Sequence, residues 1–274
     1  NEKFAFLPKE LLHVPNKYLT NSKGYNNKAY GMDGYFTALT KYGSRNTETD
    51  TRTIETANLY AGMRRGGSNY YALDVKDLDS PKLKWVLKGA YKDNYRDLIY
   101  QDATTENYDN IYRPTSGATD ITPGFERLGL TYSAAKVGKL KVGGTEKDVL
   151  VFTGGYDVKH DAVGNNLPKN DEVGNSIYIV DAETGKLLWR ASGSNGRPQT
   201  DTDGLNQMTL ASMTNSMPAS PTLIDINNDG LIDIIYATDL RGQIFRFDIG
   251  NGSVSSISGH LFAQLGGSDK ANNR

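Results

Sequence analysis

Short alternating runs of apolar and polar residues, closed by Gly, Asn or Asp, fill most of the chain, and helical periodicity is nearly absent. A period of two is what strands produce, because successive side chains face opposite sides of a sheet. Three sets of runs resemble one another. Asn58-Leu-Tyr-Ala-Gly62 leads into Asn69-Tyr-Tyr-Ala-Leu-Asp74 and Pro81-Lys-Leu-Lys-Trp85. Val149-Leu-Val-Phe-Thr-Gly154 leads into Ser176-Ile-Tyr-Ile-Val-Asp181 and, after Gly185, Lys186-Leu-Leu-Trp189. Ile234-Ile-Tyr-Ala-Thr-Asp239 leads into Gly242-Gln-Ile-Phe-Arg-Phe-Asp248. The unit is strand, turn, strand ending in Asp, turn, strand, often with Trp. Such repetition predicts an all-β fold, a partial, modified β-propeller with one blade per unit. A β-sandwich with fortuitous likeness among its strands is the alternative.

The blade-like units run over about 33–88, 128–191 and 215–250 of one domain fragment spanning 1–274. Long segments intervene between and within them, roughly 89–127, 157–175 and 191–213, and are expected as loop insertions on one face, where binding chemistry usually gathers. Tyr91–Tyr112, rich in Tyr and Asp, is a candidate partner-contact loop on composition alone. Propellers close with about four to eight blades, and the chain begins at Asn1 without Met or a signal peptide. Three visible units cannot close a ring, so the other blades are either too degenerate to see or lie beyond the fragment, where the final ones are expected. One short helix is expected around Pro8-Lys-Glu-Leu-Leu-His13, opened by its proline.

The 274 residues carry a formal net charge of −1, and no run of like charge stands out. That balance argues against nucleic acid as a main partner, which requires a concentrated basic surface. No segment approaches the roughly 18 apolar residues needed to span a bilayer. Cysteine is absent, which excludes a disulfide framework, a thiolate metal site and a cysteine nucleophile. The three histidines, His13, His160 and His260, are scattered without a nucleophile motif and read as loop residues; Arg64-Arg65 reads as a solvated turn.

The segment that carries chemistry is Asp225-Ile-Asn227-Asn-Asp229-Gly230-Leu231-Ile-Asp233. An EF-hand loop takes oxygen ligands from positions 1, 3, 5, 7 and 9, with Gly at 6 for the sharp turn and a bidentate Glu at 12. Asp225, Asn227, Asp229, the Leu231 carbonyl and Asp233 fill the first five places, and Gly230 falls at the sixth. Position 12 is Tyr236, so the bidentate glutamate is missing and Asp233 is expected to bind in its stead, with water completing the shell. An all-oxygen donor set in a flexible loop selects Ca2+ over zinc, copper and the stricter octahedron of magnesium. Asp and Asn also abound in ordinary turns, but five fitting positions between two strand-like runs are a more specific signal. The corresponding stretch of the second unit, Ser133 to Asp148, has glycines and lysines where these acids stand. Ion binding is thus a local addition to the strand pair.

The stretch from Ala219 through this loop to Asp248 resembles the calcium-loop blade of PilC/PilY-type proteins, the type IV pilus tip-associated adhesins and biogenesis factors. Gly66-Gly-Ser-Asn-Tyr-Tyr-Ala-Leu-Asp-Val75, Leu128-Gly-Leu-Thr-Tyr-Ser133, Val151-Phe-Thr-Gly-Gly-Tyr156 and the opening Phe4-Ala-Phe-Leu-Pro-Lys-Glu-Leu-Leu12 are similar to other family segments in the same order. The resemblance implies a C-terminal modified β-propeller and a non-enzymatic role in pilus biogenesis, twitching motility and adhesion. It implies pilins or minor pilins and a host or surface receptor as partners, at the surface of a Gram-negative bacterium. In the family, the ion-bound state is thought to favour pilus extension over retraction. The family's ligand positions fall on Asp225, Asn227, Asp229, Asp233 and the Leu231 carbonyl. Two other readings compete. Asp181-Ala-Glu-Thr-Gly-Lys-Leu-Leu-Trp189 resembles the repeat of quinoprotein dehydrogenase propellers, where Trp packs between blades. FG-GAP-like modules carry similar calcium loops, usually in several blades, against the single loop here.

Overall fold

A computed structural model describes residues 2–20, 29–99, 110–114, 120–161 and 170–266. Among the described residues, thirteen strands form three separate sheets. The first holds β1 (Phe36–Asn46), β2 (Thr51–Gly62), β3 (Asn69–Asp74) and β4 (Lys82–Lys88) in that order. The second holds β5 (Lys136–Val142), β6 (Thr145–Thr153), β7 (Ser176–Asp181), β8 (Leu187–Ser192) and β9 (Asn206–Thr209). The third holds β10 (Thr222–Ile224), β11 (Ile234–Thr238), β12 (Gln243–Ile249) and β13 (Ile257–Gln264). Neighbouring strands are consecutive and antiparallel, save β9, which lies parallel to β8. Apart from β9, each sheet is a four-stranded meander, as a propeller blade is.

Side-chain alternation explains how the sheets stack. On β6 and β7, Leu150, Phe152, Tyr178 and Val180 face the first sheet, where they meet Tyr60, Tyr70, Ala72 and Leu87. Their neighbours Val149, Val151, Ile177 and Ile179 face the third, where they meet Ile235, Phe245 and Phe247. Both faces of the second sheet are covered, so β7 is buried along its whole length. A strand buried on both faces is expected to be continuously apolar, and Ser176-Ile-Tyr-Ile-Val-Asp181 nearly is. The outer strand β13 instead alternates half-buried and exposed positions.

Trp85 joins the first seam. Its Nε1–H donates to the Ala182 carbonyl at 3.2 Å, and its ring stacks on Tyr60 at 5.7 Å between centroids. Trp189 joins the second, meeting Phe247 edge-on at 5.4 Å. The insertions fold as a fourth element of core: Tyr91, Tyr95, Ile111, Tyr112, Leu130, Val158 and Val173 cluster together.

Two expectations change. The N-terminal segment forms only a single 3-10 turn at Lys9–Leu11, followed by α1 (Val14–Thr20). Pro15 rather than Pro8 stands in the first turn of that helix, where a missing N–H costs nothing. The third sheet also continues past residue 250, because Ile257-Ser-Gly-His-Leu-Phe-Ala-Gln264 adds β13 to its edge. A second short helix, α2 (Tyr95–Ile99), lies in the first insertion. Among the described residues no helix is long and apolar enough to cross a membrane.

Candidate metal centre

The loop 225–233 connects β10 to β11, and the ladder around it fixes both ends. Asp233 N–H donates to the Ile224 carbonyl at 2.8 Å, and the Asp233 carbonyl accepts from Ile249 N–H at 2.8 Å. Between these points the chain curls back on itself. Gly230 N–H donates to Asp225 Oδ2 at 2.8 Å, joining the first and sixth positions. Ile226 N–H donates to Asp233 Oδ2 at 2.7 Å, joining the second and ninth. Asp229 N–H donates to Asn227 Oδ1 at 2.9 Å, and Leu231 N–H to Asp229 Oδ1 at 2.8 Å. Gly230 has φ of +87°, a backbone state that L residues avoid, and nothing lies within 4 Å of where its Cβ would be. The turn therefore requires glycine for conformation, not for space.

The four candidate side chains thus belong to one closed turn, held by N–H donors to their carboxylate and amide oxygens. Turns in which Asp accepts an N–H two residues on also occur at Asp74, Asp77, Asp157, Asp181 and Asp239. One atom sets the 225–233 loop apart from these turns: Asp225 Oδ1 is buried and has no hydrogen-bond partner. A buried carboxylate oxygen without a donor is costly, and a cation offsets that cost. No group of three or more His, Cys, Asp or Glu stands assembled as a metal cage among the described residues. The three aspartates of the loop do not by themselves form such a group, so an ion there would draw on Asn227 and the Leu231 carbonyl as well. That is hard, all-oxygen chemistry, and it fits calcium. Tyr236, at the twelfth position, lies in β11 with its ring against Phe262 at 5.6 Å and its hydroxyl toward Arg246, so it is no substitute for the glutamate.

Elsewhere the structure gathers polar groups that the sequence leaves scattered. His160 Nε2 lies 2.7 Å from Asp171 Oδ2, and the same oxygen accepts from the Ser216 hydroxyl at 2.6 Å. Ser, His and Asp meet, yet the serine is bonded to the carboxylate and not to the imidazole, and Ser216 and Asp171 are fully buried. A nucleophile needs the opposite connection, hydroxyl to base. Beside them Asp157 accepts from Tyr91 Oη, Lys159 N and Glu172 N, each at 3.0 Å, and from Tyr112 Oη at 3.5 Å. Burial raises its carboxyl pKa, and nearby Asp171 raises it further, while these donors oppose the shift. The described ends of the loop expected at Tyr91–Tyr112 thus turn inward: Tyr91 is 1% exposed and Tyr112 7%. Residues 100–109 of that loop lie outside the described residues. The Arg64-Arg65 turn is likewise engaged, with Arg65 donating to the hydroxyls of Tyr132 and Tyr30 and Arg64 lying over the Tyr132 ring.

Comparison with known proteins bears on the fold. Type IV pilus biogenesis factor PilY1 of Pseudomonas aeruginosa strain PAO1 is 25% identical over 259 residues, 93% of this chain and 16% of that protein. The same factor from strain UCBPP-PA14 is 26% identical over 208 residues, 73% of this chain and 15% of its own length. The chain therefore spans about a sixth of these curated relatives. Quinoprotein glucose dehydrogenase of Escherichia coli is 36% identical over 92 residues, 33% of this chain and 10% of that enzyme. The crystal structure of the P. aeruginosa PilY1 C-terminal domain aligns with 96% of this chain and 41% of its own, at 21% identity and a TM-score of 0.49. The model of the PilY1 beta-propeller domain matches residues 1–267, nearly the whole sequence, and the chain belongs to that family.

Proposed function

We propose that this domain binds one Ca2+ ion in the 225–233 loop through Asp225, Asn227, Asp229, Asp233 and the Leu231 carbonyl, as part of a non-enzymatic, pilus-associated surface protein. In this reading the ion acts as a conformational latch, and the protein supports type IV pilus biogenesis, the balance of extension and retraction, and adhesion at the cell surface. Pilins, minor pilins and a surface receptor are its partners. The observation that carries the calcium assignment is the buried, unpartnered Asp225 Oδ1 inside a turn closed by Gly230. The pilus assignment draws on the named role of the relatives, type IV pilus biogenesis.

Binding to the folded state alone stabilises it by about 2.7 kcal/mol when calcium is a hundredfold above its dissociation constant. The melting temperature is expected to fall when chelator is added, and Asp233→Ala is expected to abolish that sensitivity. Identical melting curves with and without calcium, together with no heat on calorimetric titration, refute the site. At the organism level, Asp233→Ala is expected to impair piliation, and normal pili and twitching in that strain count against the latch.

The short match to a quinoprotein supports a second reading, a dehydrogenase-like propeller. Trp189, the tryptophan of the quinoprotein-like repeat, packs edge-on against Phe247 of the next sheet, as a blade-packing residue does without any enzymatic role. Turnover of an alcohol with added quinone cofactor and a dye acceptor decides for the enzyme.

A further inference from the structure

Of the proposed ligand side chains, Asn227 and Asp229 are exposed and Asp225 and Asp233 half-buried, but two side chains of the same loop are buried. Leu231 and Ile232 are each 3% exposed, whereas Ile226 on the same loop is 63% exposed. Ile232 leaves its own sheet. Its N–H donates to the Lys139 carbonyl of β5 at 3.1 Å, and its side chain joins the core shared by Leu140, Trp189 and Phe247. It lies directly over the backbone of Gly138, since a Cβ built there would stand 2.5 Å from Ile232 Cδ1. Leu231 covers Gly252 in the same way, also at 2.5 Å. One residue further along, Ser253 forms a parallel bridge to Lys141 of β5. The edge of the second sheet is thus stitched to the third through the segment that runs from the fifth to the ninth position of the loop.

We propose that the loop is a calcium-operated lock on the seam between the second and third sheets, with Leu231 and Ile232 as its pegs. This rests on the calcium reading above and adds what the ion regulates. Asp229, the Leu231 carbonyl and Asp233 bracket the two pegs, so an ion that fixes those three donors also fixes the backbone carrying both buried side chains. When no cation is bound, nothing ties those three donors to one another, and the pegs are held to β5 by packing and the Ile232–Lys139 hydrogen bond alone. By linkage the coupling is reciprocal: a change at the pegs alters calcium affinity even though neither peg side chain is a ligand.

The test uses the full chain, calorimetric titration with calcium, and amide hydrogen exchange with and without the ion. Calcium is expected to slow exchange in peptides covering β5 and residues 253–257 as well as in the loop. Ile232→Ala is expected to weaken calcium binding by about five- to tenfold, the low end of measured couplings. Gly138→Ala, which leaves the loop sequence intact and presses on Ile232 from the other sheet, is expected to weaken it similarly; it also serves if Ile232→Ala fails to fold. Trp85→Phe leaves Trp189 as the single indole, so a calcium-dependent shift in its emission reads the seam directly. Calcium bound at unchanged affinity in both variants, with protection confined to 225–233, overturns the lock and leaves the ion site standing. No calcium bound by the unaltered chain overturns both.

Discussion

Substituting Gly185 by alanine tests whether the first and second sheets are held by an indole resting on bare backbone. Gly185 has φ of +71°, and a Cβ there would lie 2.9 Å from Trp85 Cδ2. The left-handed backbone alone costs an L residue about 1–2 kcal/mol. Carbon atoms pack best at about 3.5–4.0 Å, so Trp85 must also withdraw. Withdrawal weakens its bond to the Ala182 carbonyl, worth about 0.5–1.5 kcal/mol net. It also disturbs the stack on Tyr60, worth about 0.5–1.5 kcal/mol. The sum is about 2–5 kcal/mol. Gly144→Ala is the control, because Gly144 has φ of +83° and nothing within 4 Å of its Cβ position. It incurs the backbone cost alone. Urea unfolding of both variants, followed by Trp85 emission in a Trp189→Phe background, should separate them by about 1–3 kcal/mol, with a red-shifted native spectrum only for Gly185→Ala. Equal destabilisation and an unshifted spectrum would show that Trp85 does not depend on that contact.

Three further outcomes are expected. Burial raises the Asp239 carboxyl to about 6, so the folded state holds its proton more tightly than the unfolded chain does. This group's contribution to stability is therefore complete below the unfolded pKa and lost as pH rises through 6. Chemical denaturation across pH 4 to 7 should show a loss in the parent that Asp239→Asn lacks. Tyr91→Phe removes a hydroxyl donor from the buried Asp157 carboxylate and should cost about 1.5–3 kcal/mol in unfolding experiments. Phe152→Ala empties the center of the seam between the first two sheets, where the ring meets Tyr70, Phe125 and Tyr178, and should cost about 3–5 kcal/mol.

The strands that the sequence reveals most clearly are those buried on both faces. Val149-Leu-Val-Phe and Ser176-Ile-Tyr-Ile-Val stand out because no polar position interrupts them, and they became β6 and β7. Edge strands are harder to read. β1, Phe36-Thr-Ala-Leu-Thr-Lys-Tyr-Gly-Ser-Arg-Asn46, is polar because most of it faces solvent, and β13 hides a half-exposed alternation behind Ser, Gly and His. The candidate ligands were legible because they lie within one short loop. Their neighbours Leu231 and Ile232 looked like ordinary strand residues, since nothing local reveals that Gly138, far upstream, would lie beneath Ile232. The contact of Tyr91 with Asp157 was hidden for the same reason, because two separate insertions bring them together, whereas His160 and Asp171 meet within one insertion, 157–175, whose fold no local pattern reveals.

The middle sheet has no side of its own that tolerates water. A nascent chain that has delivered residues 136–209 but not 222–264 presents Val149, Val151, Ile177, Ile179 and Trp189 as a bare apolar wall. That intermediate is the species most prone to stick to another copy. Truncation after Thr209 should accordingly give aggregates rather than a smaller stable domain, and factors that shield unfolded chains should engage that wall before the last four strands arrive.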